Sequence, residues 1–161
     1  MPGATAYGGV TDALRPASGE TVFIFAASEA MGGLVGMLCK VVFGCKMIGS
    51  CVFPRSAHVC SVYHFDHHSD YKAKHSMEKL MRGLRAVAPA GIDLYVENVG
   101  GMHIEAAMQT INIKGRVAVC GCISQYNTPY PEKVGLGICK VSYGEIYFQG
   151  FVSTDCGLSI R

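Results

Sequence analysis

Residues 24–40, which read IFAASEAMGGLVGMLCK, place a turn of small residues between two apolar segments of different periodicity. The run from Thr21 to Ala26 is continuously apolar and rich in β-branched and aromatic residues, which is typical of a strand covered on both faces. From Met31 to Leu38, apolar residues recur at helical spacing. The segment therefore predicts a strand, a tight turn and a helix, an arrangement that can bind a phosphate group at the start of the helix.

The alternation of strand and helix patterns continues along the chain. We expect further strands at residues 46–51, 66–71, 92–96, 116–120 and 147–152, and helices at 54–64, 76–87 and 105–111 after a first helix that ends at Pro16. A loop of about twenty residues precedes the last strand. The pattern predicts an α/β fold of Rossmann type, a doubly wound, mostly parallel six-stranded sheet with helices on both faces. At a length of 161 residues, we expect residues 1–161 to form one domain.

Composition excludes several classes of function. The formal net charge of +2 and the pI near 8.1 give no basic stripe of the kind that follows a nucleic-acid backbone, so we expect no nucleic-acid partner. No apolar stretch reaches the roughly 18 residues that a membrane span requires, and the N-terminus does not resemble a signal peptide. We therefore expect a soluble, cytoplasmic protein with no membrane partner.

Cysteines and histidines are numerous enough to raise the question of a metal site. None of the eight cysteines forms a CxxC pair, and several lie inside apolar runs, which favours reduced thiols that pack as small hydrophobic residues. His64, His67, His68 and His75 lie close enough in sequence to suggest zinc or copper. However, adjacent histidines point to different faces of a strand or helix, so we expect no metal.

In a doubly wound sheet, ligands bind beyond the carboxyl ends of the strands. Small and polar residues follow nearly every predicted strand, which favours a nucleotide site, although ordinary turns also collect such residues. An NAD site usually has an acid about 20 residues after the glycine turn, where this chain has Gly49, Ser50 and Cys51. The sequence therefore favours NADPH. Arg55, Lys72 and Lys74 could supply positive charge for its extra phosphate or could simply be solvated surface.

Six segments carry a resemblance to a known family. They are MPGATAY, ASEAMGGLVGMLCK, FDHHSDYK, GIDLYVENVGG, GRVAVCGCISQYN and FQGFV, and they occur in the family's order and approximate spacing. The chain resembles the cofactor domain of zinc-independent medium-chain dehydrogenases/reductases, particularly the prostaglandin reductase (leukotriene B4 12-hydroxydehydrogenase) branch. Those enzymes use NADPH to reduce the carbon–carbon double bond of α,β-unsaturated ketones and aldehydes. The resemblance implies that this chain lacks the N-terminal catalytic domain and the C-terminal end of the family.

The resemblance also implies which residues contact the cofactor. The pyrophosphate turn corresponds to Glu29, Ala30, Met31 and Gly32. Ser56 replaces a lysine that holds the 2′-phosphate in the family; Arg55 stands beside it, Tyr71 borders the same phosphate, and Asn98 precedes the paired glycines. The loop beside the nicotinamide and its ribose comprises Cys120, Gly121, Cys122, Ile123, Ser124, Gln125 and Tyr126, and the last strand supplies Phe151, Val152 and Ser153.

Glu29 stands where such a turn would normally have a glycine. A carboxylate roughly 6 Å from a phosphate costs about 3 kcal/mol at an effective dielectric constant near 20, before salt screening. A helix N-terminus returns only about 0.5–2 kcal/mol. Either the side chain turns away and leaves the backbone amides to bind, or it caps its own helix and fills the anion site. In both cases we expect weakened cofactor affinity.

The chemistry implied by the resemblance puts negative charge on the carbonyl oxygen of an enone as hydride reaches its β-carbon. Tyr126 is the candidate catalytic residue, through a hydrogen bond to the ribose or to that oxygen, although it could instead be an aromatic wall of the pocket. The rival interpretation is a catalytically incompetent module that binds nucleotide or only dimerises. The resemblance implies a homodimer joined through the last strand, since edge strands pair readily.

Overall fold

The computed structural model describes residues 2–52, 56–70, 76–130 and 133–151, with the side chains of residues 56 and 57 left out. Six parallel strands form a single sheet in the order β3-β2-β1-β4-β5-β6. The strands are β1 (Thr21–Phe25), β2 (Lys46–Cys51), β3 (His67–Asp70), β4 (Ile92–Glu97), β5 (Ile111–Val119) and β6 (Tyr147–Gly150). The predicted Rossmann-type sheet is confirmed.

Helices connect the strands and cover both faces of the sheet. They are α1 (Pro2–Gly8), α2 (Ala30–Met37), α3 (Ser56–Tyr63), α4 (Met77–Val87), α5 (Met102–Thr110) and α6 (Ile138–Tyr143). π-helical turns extend α1 through Gly9–Leu14 and α2 through Leu38–Val42, and a 3₁₀ turn occupies Ile123–Gln125. In the described part of the chain, every helix is too short or too polar to cross a bilayer.

The alternation of side chains along β1 explains why its sequence is apolar throughout. Val22 and Ile24 face one hydrophobic cluster, which also contains Val10, Val35 and Val59 from the helices at the start of the chain. Phe23 and Phe25 face a second cluster with Tyr95 of β4, Leu84 of α4, and Ile104 and Met108 of α5. Each face of a parallel sheet is covered by helices, so both sets of side chains are buried.

Several element boundaries differ from those predicted. β5 begins at Ile111 rather than residue 116, because an irregularity in its pairing with β4 between Ile92 and Leu94 accommodates the polar stretch that hid its first half. α5 begins at Met102 rather than residue 105. The long loop before the last strand contains α6, a helix of six residues whose preceding Gly137 adopts a positive φ of 60°. So short a helix has no hydrophobic periodicity to reveal it.

Candidate functional site

The order of the strands brings the carboxyl ends of β1 and β4 together at the centre of the sheet. From β1 the chain proceeds to β2 and β3 on one side, and it then crosses over to β4 on the other side. The reversal leaves a crevice beyond these strand ends, where doubly wound proteins bind ligands. The turns that line it here follow Phe25, Glu97 and Val119.

The turn after β1 is held close to the sheet. Ala26 adopts a positive φ of 57°, and the amide of Ala27 donates to the carbonyl of Ser50 at 3.0 Å. Gly32 lies so near the preceding strand that a Cβ there would stand 2.5 Å from the carbonyl oxygen of Ala26. The absence of a side chain at Gly32 therefore lets the first turn of α2, which includes Ala30 and Met31, reach the end of β1. The first amides of an α-helix have no carbonyl partner within the helix and point outward from its start.

Glu29 is the N-cap residue of α2, with an extended backbone, and its side chain makes no capping hydrogen bond to the helix. The side chain is exposed and lines the crevice together with Phe25 and His103. Of the two arrangements considered from the sequence, the one in which the carboxylate caps its own helix is not seen. The backbone amides of the first turn are therefore not covered by a capping bond from this acid.

A cavity of about 410 Å³ lies in the crevice. One wall is formed by the end of β1 and the other by the turn after β4 and the start of α5. Its described lining is Phe25, Ala26, Glu29, Val99, Gly100, Gly101, Met102, His103, Ile123 and Ser124. Most of these side chains are apolar or absent, so the cavity suits a planar or apolar group of a ligand. The polar side chains in its described lining are Glu29, His103 and Ser124.

His103 was missed by reasoning from the sequence. Its imidazole stacks on the ring of Phe25, with 3.6 Å between ring centroids and 28° between planes. Burial lowers the pKa of His103 to about 4. A hydrogen bond with the backbone of Gly100 raises the pKa, but its effect is the smaller of the two. The ring is therefore neutral at physiological pH. The available signal in the sequence is a histidine two residues after the paired glycines. The helix predicted from the sequence begins only at residue 105, beyond this histidine.

The turn after β4 is connected by hydrogen bonds to the ends of two other strands. The Asn98 side-chain amide donates to the carbonyl of Phe25 at 3.4 Å, and the backbone carbonyl of Asn98 accepts from the amide of Ile123 at 3.2 Å. The carbonyl of Val99 accepts both the amide and the hydroxyl of Ser124, at 3.1 and 2.5 Å. The predicted residues Asn98, Ile123 and Ser124 are thus brought together.

Tyr126 follows the 3₁₀ turn in the loop after β5, and 64% of the residue is exposed. Its hydroxyl lies against the backbone of Gly121, where a Cβ would stand 2.6 Å from the phenolic oxygen. The phenol borders the loop but is not among the described residues that line the cavity. Cys122 is exposed, and Cys120 and Gln125 are partly buried in the same loop.

The remaining predicted contacts are described only in part. Phe151 donates its amide to the carbonyl of Val119 at 3.3 Å, and its ring packs against Gly9. For Ser56 only its place at the start of α3 is described. Arg55, Tyr71, Val152 and Ser153 lie outside the described residues, as do Lys72 and Lys74.

Potential metal ligands do not converge in the described part of the chain, where no three His, Cys, Asp or Glu side chains are placed to hold an ion. The sulfur of Cys60 lies 3.4 Å from Nδ1 of His68, a pair that no third potential ligand joins among the described residues. His75 and Cys156 lie outside the described residues. The seven described cysteines are free thiols.

Comparisons with known proteins agree with this architecture. A family described as zinc-binding dehydrogenase matches residues 30–155. The chain is 40% identical over 156 residues to a 2-alkenal reductase (NADP(+)-dependent) of Nicotiana tabacum and 38% identical over 156 residues to (+)-pulegone reductase of Mentha piperita. In each case the match covers 96% of this chain and 44% of the relative. It is 38% identical over 154 residues to prostaglandin reductase 1 of Sus scrofa, covering 96% of this chain and 46% of that protein.

A solved structure shows the same fold. CurA from Vibrio vulnificus, in complex with NADPH, superposes with a TM-score of 0.84 at 35% identity, covering 96% of this chain and 46% of that chain. The chain thus spans less than half the length of each of these relatives. The match to the family and these relatives confirm the resemblance seen in the motifs. The chain belongs to the zinc-binding dehydrogenase family and corresponds to the cofactor domain of a medium-chain dehydrogenase/reductase of the prostaglandin reductase branch.

Proposed function

We propose that this chain is the NADPH-binding domain of an oxidoreductase that reduces the carbon–carbon double bond of α,β-unsaturated ketones and aldehydes. The observation that carries the proposal is the turn after β1, where the absence of a side chain at Gly32 lets the start of α2 meet the crevice at the end of the strand. The relatives support the choice of chemistry, since one is a 2-alkenal reductase that depends on NADP(+) and another is a pulegone reductase.

The residues present fit a dinucleotide. The close approach of Gly32 to Ala26 leaves the space that a Cβ would fill, and a pyrophosphate would be held there by the amides of Ala30, Met31 and Gly32. At the carboxyl end of β2, where an NAD enzyme usually has an acid, the chain has the buried Ser50 and Cys51. The lack of an acid favours NADPH over NADH.

The extra phosphate of NADPH requires positive charge or hydrogen-bond donors beyond the end of β2. We propose Arg55, Ser56 and Tyr71 for this role on the basis of the family resemblance. A guanidinium at Arg55 would compensate for Ser56, which replaces the family's lysine, because arginine binds phosphate oxygens in a bidentate manner.

In the proposed reaction, the bound cofactor supplies a hydride to the β-carbon of the enone. The residues of this chain contribute orientation and a polar environment. We propose that the 120–126 loop and residues 151–153 border the nicotinamide, and that the hydroxyl of Tyr126 donates to the ribose or to the enone oxygen as negative charge develops there. The exposure of Tyr126 in the loop that borders the crevice supports this role. Water supplies the final proton.

The proposed reaction does not use a zinc ion. The family's description includes the metal, but the described residues do not assemble three potential ligands, and we derive no step through it.

We further propose that the protein forms a homodimer through β6. This strand lies at one edge of the sheet and pairs with β5 along one side only, and 55% of Tyr147 is exposed. An edge strand with open backbone groups can pair with its copy. Sedimentation equilibrium would detect the dimer. The amide of Phe151 donates to β5, so the amide of Gly150 points to the open edge, and a Cβ at position 150 would meet no atom within 4 Å. Gly150→Pro, which removes this edge-facing donor, should therefore shift the protein to a monomer. A monomeric wild-type protein would contradict this assembly.

An assay with NADPH and a small enone tests the proposed activity. We expect consumption of NADPH together with a product in which the double bond is saturated and the carbonyl retained, and no reaction with the corresponding saturated ketone. Tyr126→Phe should lower turnover by roughly 10²-fold or more without weakening NADPH binding comparably. Binding of NADPH without turnover would instead select the rival interpretation, a nucleotide-binding module. Failure to bind NADPH would contradict both.

A further inference from the structure

Glu97, the last residue of β4, places a carboxylate in the interior of the protein. The residue is only 1% exposed. Its Oε1 accepts the backbone amides of Val99 and Gly100 at 2.5 and 2.7 Å, and its Oε2 accepts the hydroxyl of Tyr95 at 2.8 Å. A carboxylate offers only acceptors, and three donors therefore satisfy it without a cation. The side chain bends back over the residues that immediately follow it.

The turn closed by this carboxylate, residues 98–101, has an unusual backbone. Gly100 and Gly101 adopt φ values of 88° and 68°, in the region that favours glycine. Two consecutive glycines in such conformations have many alternatives in an isolated chain, so an external constraint is needed to select one. The two hydrogen bonds to Oε1 of Glu97 supply that constraint at Val99 and Gly100.

The 98–101 turn in turn holds the loop after β5. The backbone carbonyls of Glu97, Asn98 and Val99 accept, in order, the amides of Cys120, Ile123 and Ser124 at 2.9, 3.2 and 3.1 Å. The hydroxyl of Ser124 adds a second bond to Val99. A change in the path of the 98–101 turn would therefore displace the loop that carries the proposed nicotinamide contacts.

We propose that Glu97 is a positioning residue: its carboxylate fixes the 98–101 turn and thereby places the 120–126 loop for cofactor binding, without itself touching the cofactor. The role in cofactor binding rests on the proposed function. The role in fixing the loop depends only on the contacts of Glu97 and can be measured without a ligand.

The contacts require an acceptor at this position rather than a negative charge. In Glu97→Gln, the amide oxygen can accept both backbone N–H groups while the amide nitrogen donates to the phenolic oxygen of Tyr95. In Glu97→Leu, a side chain of similar size offers no acceptor and leaves buried amides without partners, which is costly. Comparison of the two variants therefore separates the geometry of the turn from the charge of the carboxylate.

Amide hydrogen exchange and NADPH titration on the whole chain test the proposal. In Glu97→Leu we expect exchange at Val99, Gly100, Ile123 and Ser124 to accelerate roughly tenfold or more and NADPH to bind roughly tenfold more weakly. Glu97→Gln should stay within about threefold of wild type in both measurements. Tyr95→Phe, which removes one donor but leaves both bonds to the turn, should behave like Glu97→Gln and remains informative if Glu97→Leu does not fold.

Leu84→Ala provides the control for a general loss of stability, because Leu84 is a buried core residue of α4 outside the turn. It should lower Tm while leaving exchange in the turn and NADPH affinity within about twofold of wild type. The proposal is overturned if Glu97→Leu weakens binding no more than Leu84→Ala, if its turn stays protected, or if Glu97→Gln or Tyr95→Phe loses that protection. If wild-type protein binds no NADPH, the proposed function fails, and exchange at the four amides alone decides the role of Glu97.

Discussion

Gly32 in the first turn of α2 lies against the carbonyl oxygen of Ala26, and a Cβ at position 32 would stand 2.5 Å from that oxygen. The backbone on both sides of this contact belongs to the proposed pyrophosphate site. Alanine would force the helix away from the end of β1, because neither partner in the contact is a flexible side chain. The same contact thus predicts a loss of both stability and binding.

Gly32→Ala should lower the free energy of unfolding by about 1–3 kcal/mol and weaken NADPH binding. Urea denaturation and titration measure the two effects. Gly3→Ala is the matched control, since Gly3 also lies in a helix but has open space around the position of its Cβ. That change should be neutral or stabilise by about 0.5–1 kcal/mol. Equal effects of the two substitutions would contradict the close-approach argument.

Glu29 should oppose cofactor binding, because an exposed carboxylate lines the crevice close to the proposed site of a phosphate. We expect Glu29→Gln to tighten NADPH binding by roughly threefold to tenfold, and by more at low ionic strength, where screening is weaker. Calorimetric titration at two salt concentrations measures this effect.

The control for Glu29→Gln is Glu145→Gln, which makes the same charge change just before β6, at the amino ends of the strands and not at the carboxyl ends that form the crevice. Glu145 is exposed and its Oε2 lies 3.8 Å from Nζ of Lys114, a contact that contributes little to stability. This variant should bind NADPH as wild type does. Unchanged affinity in Glu29→Gln would mean that the acid does not affect binding.

His103 should make the fold sensitive to acid. Its pKa is about 4 in the folded protein against an ordinary value of 6.5, because the ring is buried against Phe25. Above pH 6.5 the imidazole is neutral in both the folded and the unfolded protein, so it causes no loss in the free energy of unfolding there. As pH falls from 6.5 towards 4, the unfolded state binds the proton first, and the free energy of unfolding drops by ~1–3 kcal/mol, a range that allows for solvent screening.

Replacement of the imidazole by an aromatic ring that cannot titrate should remove this effect. Urea denaturation at neutral pH and at roughly pH 5 should show a smaller acid-induced loss for His103→Phe than for wild type. His58→Phe, a substitution on the exposed surface of α3, serves as the control and should keep the wild-type loss. If His103→Phe loses as much stability in acid as wild type, the imidazole is not the responsible group.

Cysteine reactivity should follow burial. Desolvation raises the pKa of Cys39 to about 12, with the neighbouring Cys45 adding to the shift, and burial likewise raises the pKa of Cys45 and Cys51 to about 11. The thiolate is the reactive form, so these three should resist alkylation in the native protein. Among the seven described cysteines, peptide mapping after a short exposure to iodoacetamide should find label on the exposed Cys122 and Cys139 first. Rapid labelling of Cys39 would show that the core opens readily.

Some of the fold could be predicted because its signals are local. β1, β2 and β4 were found with errors of at most one residue, because strands buried on both faces read as continuous apolar runs. α6 could not be found, because its start depends on a left-handed Gly137 and most of its six residues are exposed. The first half of β5 could not be predicted, because the polar Asn112 and Lys114 interrupt its apolar pattern. In the structure they lie where the pairing of β5 with β4 is irregular.

Some parts of the candidate site could likewise be predicted from the sequence, and others could not. The glycine turn and the 120–126 loop could be located from the sequence, because each follows a recognisable strand. The roles of His103 and Glu97 could not be predicted, although Glu97 stands at the end of a predicted strand, since these roles depend on where the side chains go. The stacking of His103 on Phe25 joins segments far apart in the chain, and the carboxylate of Glu97 turns inward from a position that would equally suit a solvent-facing acid. Periodicity gives no information about such contacts.

Titration of the wild-type chain with NADPH and with NADH tests the central claim, that the crevice beyond β1 and β4 is a site for the phosphorylated dinucleotide. We predict saturable binding of NADPH, at least roughly tenfold tighter than that of NADH, which corresponds to about 1.4 kcal/mol from the additional phosphate. No binding of NADPH, or equal or tighter binding of NADH, would contradict the account.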